Sequence, residues 1–404
     1  MSGVGHVRRG DPSLVTGARD LLESRDLLES MDDWGPEKVV CVSDTRTRMR
    51  GVLVIDNTAR GMGKGGTRVS PTLTVQEVAR LARTMTLKWA AVDMFYGGAK
   101  AGICADPGDP DKEAVLRSFV RALHNEVPSQ YVFGLDMGLT EDDAAVIVDE
   151  LGRDAAVGTP AVLGGLPYDT LGLTGFGVAE AAQAAADWSG SDLAGARVVV
   201  QGFGAVGCAA AERLVELGAT VVAISTALGA LHDPTGLDIA ALAALRNRAG
   251  DSAVDRYEPA RRLPAGAELT LDADILIPAA RQDVIDTDTA GSIKARLVIE
   301  GANLPTSVAA QRLLADRGVL VVPDFIANAG GVIAAGYAMQ SRGSPFRPEP
   351  EPVRDAVATK LRANTMQVLD TSRRLGQTPH DSANALARGR VHAAMAARRR
   401  SRTT

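Results

Sequence analysis

The run Arg197-Val-Val-Val-Gln-Gly-Phe-Gly-Ala-Val-Gly-Cys-Ala-Ala-Ala-Glu-Arg-Leu-Val-Glu-Leu-Gly-Ala-Thr-Val-Val-Ala-Ile224 decides the fold. It begins as a continuous apolar strand, the pattern of a parallel sheet covered on both faces. Glycines follow as G-x-G-x-x-G at 202, 204 and 207, a helix runs on from Cys208, and Thr220-Val-Val-Ala-Ile is the next strand. A glycine triplet alone is a weak signal, but between a strand and a helix it is a dinucleotide-binding fingerprint. Gly202 allows the tight turn, Gly204 lets a pyrophosphate approach the backbone, and Gly207 lets helix and strand pack closely. Phe203, Ala205 and Val206 complete the loop, whose helix N-terminus supplies a positive end for phosphates.

An acid that holds the adenosine ribose normally ends the second strand. Here that place reads Ser225-Thr226-Ala227-Leu228-Gly229, with no carboxylate. Its loss removes a repulsion against a ribose 2′-phosphate, so either NAD or NADP is expected, with Thr226 at the ribose. No arginine within this turn clamps the phosphate. Strands are also expected over 273–280, 297–303 and 319–324, each breaking into small or polar residues. Ligands of open α/β sheets bind at those ends. Asn303 and Asn328 are therefore candidates for the nicotinamide half, although a turn role accounts for each asparagine equally well.

Upstream, residues 61–100 hold Gly61-Met-Gly-Lys64-Gly-Gly-Thr, then Lys88-Trp-Ala-Ala, then Gly97-Gly-Ala-Lys100-Ala-Gly. Burying an unpaired ammonium is costly, so lysine usually stays in water. Flanking glycines remove the bulk that would cover the amine. Such a lysine binds a carboxylate, or acts as a base once desolvation lowers its pKa. Strands are expected at 39–43 and 51–56 and a helix from Thr74, which puts Lys88 near that helix's end. A helix is expected over 112–127, and a buried strand over 131–135 with Asp136 at its end. Asp136 reads either as a helix cap or as an acid of the site.

With 404 residues the chain exceeds one ordinary core. The division expected is an N-terminal α/β substrate domain from 1–170 plus about 340–404, and a Rossmann-type dinucleotide-binding domain over 171–339, with a cleft between them. A formal charge of -5 gives no basic field for nucleic acid. Three scattered cysteines and five scattered histidines suggest neither a disulfide framework nor a metal site. No apolar run reaches membrane-spanning length, and no secretory signal opens the chain, so a cytoplasmic protein is expected. The duplicated Asp-Leu-Leu-Glu-Ser at 20–24 and 26–30 suits a helix or two turns, and the basic end over 397–402 a solvated helix terminus.

Assembled, the segments GKGGTR, MTLKWA, GGAKAG, GLDMG, LTGFGV, QGFGAVG, LIPAA, EGANLPT and NAGG, in this order over residues 40–340, resemble the glutamate/leucine/phenylalanine/valine dehydrogenase family. The resemblance implies a homo-oligomer that interconverts an L-amino acid with a 2-oxo acid and ammonia. By motif, Lys88 would hold the substrate α-carboxylate, Lys100 would activate the attacking water and Asp136 would shuttle protons. Thr174 and Ala279 would join the cofactor residues. Lys64 would select the side chain, and a lysine there marks glutamate enzymes, whereas Ala335 stands where those enzymes usually carry a serine. Phe95 replaces a frequent proline, Trp89 is bulky beside Lys88, and Tyr168–Leu173 lacks the usual Arg-x-Glu. The expectation is L-glutamate. A nonpolar or non-proteinogenic amino acid, and a non-catalytic binding relative, are the alternatives.

Overall fold

The computed structural model describes residues 31–168, 170–346 and 348–400; the leucine duplication at 20–30 lies outside them. Two sheets organise the chain. The first contains β1 (Lys38–Asp44), β2 (Met49–Asn57), β3 (Gly63–Lys64), β4 (Thr67–Val69), β5 (Gly97–Ile103) and β6 (Tyr131–Val132). Its order is β1-β2-β5-β3-β6, with β4 beside β5. β1, β2 and β5 pair antiparallel, and β3, β4 and β6 join in parallel.

Period-two alternation along β2 splits its side chains between two cores. Leu53 and Ile55 pack with Phe119 and Leu116, while Val52 and Val54 face Val78 and Ala82. The first layer includes α2 (Lys112–Ala122) and the second is α1 (Val75–Ala91). Thr74 caps α1 by accepting from the Glu77 N–H at 3.1 Å. Small residues in β5 let α1 lie directly on it: a Cβ added to Gly98 would sit 2.1 Å from Thr86 Oγ1. The α2 helix ends five residues earlier than the sequence suggests, ahead of Pro128, which cannot continue a helix. α3 (Glu141–Leu151) opens with a capping box between Thr140 and Asp143.

The second sheet runs β10-β9-β8-β7-β11-β12-β13, parallel from β8 to β13, with β9 and β10 turned back antiparallel at one edge. Its strands are β7 (Arg197–Gln201), β8 (Thr220–Thr226), β9 (Gly229–His232), β10 (Arg261–Leu263), β11 (Ile275–Pro278), β12 (Leu297–Ile299) and β13 (Leu320–Val322). β11, β12 and β13 are shorter than the apolar runs suggest, because their small and polar ends leave the ladder as loops at the C-terminal edge. Both faces are covered. Val198, Val200, Ile277 and Ile299 pack under α4 (Leu173–Ser189) and α5 (Ala205–Glu216). Val199, Leu276, Val298 and Val321 face Ala310 and Leu314 of α7 (Val308–Asp316), with α6 (Ile239–Ala249) beside α5.

Three helices close the chain: α8 (Gly330–Ser341), α9 (Pro350–Leu375) and α10 (Pro379–Arg400). α9 packs on α4 and α8, and α10 packs on α1 and α9, so these helices touch both sheets' layers. A fully enclosed carboxylate fastens this joint. Glu180 on α4 accepts from Arg213 Nε at 2.8 Å and from Arg362 Nε at 2.6 Å. Removing one member of a buried charge cluster costs more than the cluster contributes, because the other charge is left stranded. R213A/R362A is therefore expected to lose about 3–5 kcal/mol of stability. Adding Glu180→Gln to that background should recover part of the loss, as read from denaturant midpoints.

Candidate active site

The C-terminal turn of α1 carries Lys88, and two features hold that turn in place. Arg390 on α10 donates to the carbonyls of Ala90 and Ala91 at 2.9 and 2.8 Å, which satisfies helix-end acceptors. Trp89, fully buried beside it, donates its Nε1–H to the Lys64 carbonyl at 3.0 Å. Lys88 thus points across the cleft, where its Nζ donates to Asn303 Oδ1 at 2.9 Å and Asn328 Oδ1 at 3.0 Å. Asn303 lies just past β12, and Asn328 follows the short helix after β13. Burial lowers the pKa of Lys88, and Asp324 offsets part of that fall. Two neutral amide oxygens leave this ammonium without a full counter-charge.

Lys100 projects from the middle of β5, and its Nζ lies 2.7 Å from Asp136 Oδ2. Arg68 on β4 donates its Nε–H to the same oxygen at 3.0 Å and reaches Glu77 with Nη1 at 2.8 Å. Burial pushes the Asp136 carboxyl up, but the Lys100 ammonium and the Arg68 guanidinium outweigh it and hold it at about 2. The ladder expected over 131–135 is only Tyr131–Val132. It continues through single bridges, Phe133 to Ala156 and Leu135 to Thr67. Asp136 follows the last bridge. The interruption lies where Lys64 Nζ takes the Val132 carbonyl at 3.1 Å.

Lys64 is enclosed, and among the described residues its Nζ has only that carbonyl and its neighbour Gly65 O at 3.4 Å as partners. Burial, then the charges of Arg342 and Lys100, push its pKa well below the ordinary lysine range. Gly134 leaves room for the amine where it stands, since a Cβ would lie 2.5 Å from the Lys64 Nζ. The wall beside it is apolar. Ala335 of α8 belongs to one cluster with Trp89, Tyr168, Met339 and Leu173. The structure therefore gathers Lys64, Lys88, Lys100 and Asp136 around one cleft. Arg68 joins them unforeseen, and the charge of Arg342 acts on Lys64. Arg68 stood in the quoted GKGGTR segment, while Arg342 had no sequence signal beyond its place two helical turns on from Ala335.

The dinucleotide loop has the shape its glycines demand. Gly202 adopts φ 87°, and a Cβ there would meet Ala280 Cα at 2.5 Å. A Cβ on Gly207 would lie 1.9 Å from Gly202 O, whereas one on Gly204 meets nothing within 4 Å. The surface above Gly204 is thus open to a ligand, and the first N–H groups of α5, at Ala205, Val206 and Gly207, have no partner one turn earlier in the helix. These residues fit a pyrophosphate. Phe203 has its ring in the core and its N–H on Ser225 O. Thr226 Oγ1 donates to Asp251 O at 3.0 Å and accepts from the Leu228 N–H at 3.2 Å. Arg262 arrives at this turn from β10 and donates to Leu228 O at 3.2 Å. Thr174, in the first turn of α4, lies 2.6 Å from where a Cβ on Gly331 would sit, and Ala279 donates its N–H to Gln201 O at 2.8 Å. Among the described residues no His/Cys/Asp/Glu group suits a metal, and no helix is long and apolar enough to cross a membrane.

Residues 164–399 match the family model for Glutamate/Leucine/Phenylalanine/Valine dehydrogenase, and residues 36–153 match that for the Glu/Leu/Phe/Val dehydrogenase dimerisation domain. The chain belongs to this dehydrogenase family. It is 39% identical over 317 residues to glutamate dehydrogenase A2 of Halobacterium salinarum, covering 74% of this chain and 76% of that one. It is 36% identical over 332 residues to the NAD-specific glutamate dehydrogenase of Staphylococcus aureus, covering 79% of each. Its fold matches the hetero-hexameric glutamate dehydrogenase of Thermus thermophilus in its Leu-bound form with a TM-score of 0.81, at 31% identity over 98% of this chain and 99% of that one. The protein is an NAD(P)-dependent amino-acid dehydrogenase with the family's two-domain architecture.

Behind the asparagine loops of this dehydrogenase lies a buried pair. His380 Nε2 sits 2.9 Å from Glu300 Oε2, which also accepts from the Asp324 N–H at 2.9 Å. Burial lowers the His380 pKa, but Glu300 and the nearby acids outweigh it and raise it above 6.5. A raised folded pKa stabilises the protein fully below the unfolded pKa, and that contribution is lost as pH rises through the folded value. The thermal midpoint of wild type should therefore exceed that of His380→Gln most near pH 6. The gap should narrow steadily towards pH 9.

Proposed function

We propose that this dehydrogenase catalyses the reversible oxidative deamination of L-glutamate to the 2-oxo acid and ammonia. One observation carries the choice of substrate: Lys64 is an enclosed ammonium whose partners are backbone carbonyls alone, beside an apolar wall. A side-chain carboxylate would give it the anion it lacks. Lys88 receives the α-carboxylate as a point charge, while Asn303 and Asn328 keep its Nζ aimed into the cleft. Lys100 activates the water that attacks the iminium carbon, and Asp136, ionised and 2.7 Å away, carries protons to and from the substrate nitrogen. Arg68 keeps Asp136 ionised and oriented. When bound along the loop at 202–207, the nicotinamide cofactor supplies hydride transfer at the substrate Cα. Closure of the cleft excludes competing water.

NAD and NADP are both accepted on this reading, since no acid ends β8 and Arg262 lies at the turn that follows. Thr226, Thr174 and Ala279 line the cofactor edge with the two asparagines. We place the division between domains at about 170 and 340, the assembly as a homo-oligomer, and the enzyme in the cytoplasm. Ala335 favours a second reading, a nonpolar or non-proteinogenic L-amino acid, because it offers no hydroxyl to a side-chain carboxylate. The intact pairing of Lys100 with Asp136 weighs against a non-catalytic relative.

Absorbance of the reduced nicotinamide, followed with each cofactor against a panel of L-amino acids, tests the assignment. Glutamate should be the best substrate, and Lys64→Leu should lower its kcat/KM by about a hundredfold or more. A preference for leucine or phenylalanine that Lys64→Leu leaves untouched would instead establish the second reading. Lys100→Met should lower kcat by about 10²–10⁴-fold without weakening cofactor binding, as checked by nucleotide titration.

A further inference from the structure

Ala335 leaves a gap in the account of the side-chain pocket. This chain has a methyl group there, within a cluster of apolar side chains, so the position offers no hydroxyl. The same helix supplies a different group. On α8, positions 335, 338, 339 and 342 share one face, because residues three, four and seven apart lie above one another. Cα–Cβ bonds tilt towards the helix N-terminus, so a long side chain at 342 leans back over the preceding turn. Arg342 does so, with Nη1 3.2 Å from Met339 Sδ. Met339 and Ala338 pack in the same cluster as Ala335 and Trp89, and Trp89 holds the Lys64 carbonyl at 3.0 Å. Tyr96, 4.8 Å from Trp89 between ring centroids, also lies within the field of Arg342.

The guanidinium is mostly covered yet poorly neutralised. Its side chain is 22% exposed, and its one carboxylate partner among the described residues is Asp154, 3.8 Å away and itself 60% exposed. A pair this long and this wet contributes little, and it leaves guanidinium donors for another acceptor.

We propose that Arg342 is a specificity-determining residue, which together with Lys64 makes the far end of the side-chain pocket dicationic and so takes the place of the missing hydroxyl at 335. The inference rests on the dicarboxylic substrate proposed above and deepens it. A carboxylate entering between the two cations relieves their mutual repulsion as well as pairing with each. The charged groups acting on Lys64 are Arg342 from α8 and Lys100 from β5; Asp136 faces Lys100, and Asp154 and Tyr96 flank Arg342. Without substrate, burial and these two cations weaken the charged form of Lys64. A carboxylate bound beside it favours that form again, and the KM for glutamate rises as pH rises through the lowered value.

The test compares wild type, Arg342→Leu and Arg342→Lys with glutamate and with L-norvaline, which has the same side-chain length up to the carboxylate carbon but no charge, over a range of pH. Arg342→Leu should lower kcat/KM for glutamate about 10- to 100-fold, mainly through KM, and leave norvaline within about twofold. It should also move the rise in glutamate KM to higher pH, since removing a like charge raises the Lys64 pKa. Arg342→Lys should restore most of the loss. If wild type prefers glutamate but Arg342→Leu leaves both substrates and the pH profile unchanged, Arg342 has no part in specificity. An equal fall with both substrates, not rescued by Arg342→Lys, shows a structural role and overturns the proposal too. If wild type prefers norvaline, the glutamate assignment and this inference fall together.

Discussion

Excess buried positive charge is the constraint on which this site depends. Lys64, Lys88 and Lys100 are each under a tenth exposed, yet among the described residues a single carboxylate, Asp136, contacts any of them. Placing an ion in a protein interior costs several kcal/mol after relaxation. Each lysine meets that cost differently. Lys100 has a direct ion pair, Lys88 has two amide oxygens, and Lys64 has only main-chain carbonyls. The order of decreasing compensation is also the order of increasing need for an anion from outside. On the proposed reading, a substrate with two carboxylates would meet the two poorly compensated sites and leave the compensated one free for proton transfer.

The surroundings follow from that requirement. β5 is built of small residues, so Lys100 can leave the centre of a strand that is buried along its whole length. Trp89 turns its ring into the core and ties α1 to β3 through the Lys64 carbonyl, so the bulky neighbour of Lys88 fixes the spacing between two of the cations. Arg390 secures the end of the same helix from α10, which comes from the far end of the chain. The positions of Lys64 and Lys88 are therefore set by packing and backbone hydrogen bonds, which do not weaken when the charges are solvated differently.

How much of this was legible in the sequence depends on range. The dinucleotide loop was fully legible because its strand, glycines and helix are contiguous, and each glycine answers a local steric need. The three lysines were legible as lysines in glycine and apolar surroundings. What each one touches was not. Asn303 and Asn328 follow different strands, and their meeting at Lys88 spans more than 200 positions of chain. Arg262 reaches the turn after β8 from a strand that pairs antiparallel at the sheet edge, so a search of the turn itself could not find it. Arg68 was visible in a quoted motif, but its value lies in sharing one oxygen of Asp136 with Lys100. Strand ends were read too long for a related reason: apolar runs continue into loops that serve the site instead of the ladder.

The Lys88 contacts also say how the two halves of the site communicate. Lys88 belongs to the first sheet's layer, and the asparagines belong to the C-terminal edge of the second, so this one ammonium bridges the cleft. Asn328 in turn donates to Asn303 Oδ1 at 3.1 Å and to Gly301 O at 3.3 Å, which couples the loops after β12 and β13. Those loops are braced from behind by Glu300 and Asp324, which hold the Asp324 and Leu304 N–H groups. A bound α-carboxylate competes for the same ammonium with a full charge where the asparagines offer only amide dipoles, and hydrogen bonds to charged groups are the stronger ones. On the proposed reading, substrate binding would shift Lys88 from a neutral cross-cleft contact to an ionic one.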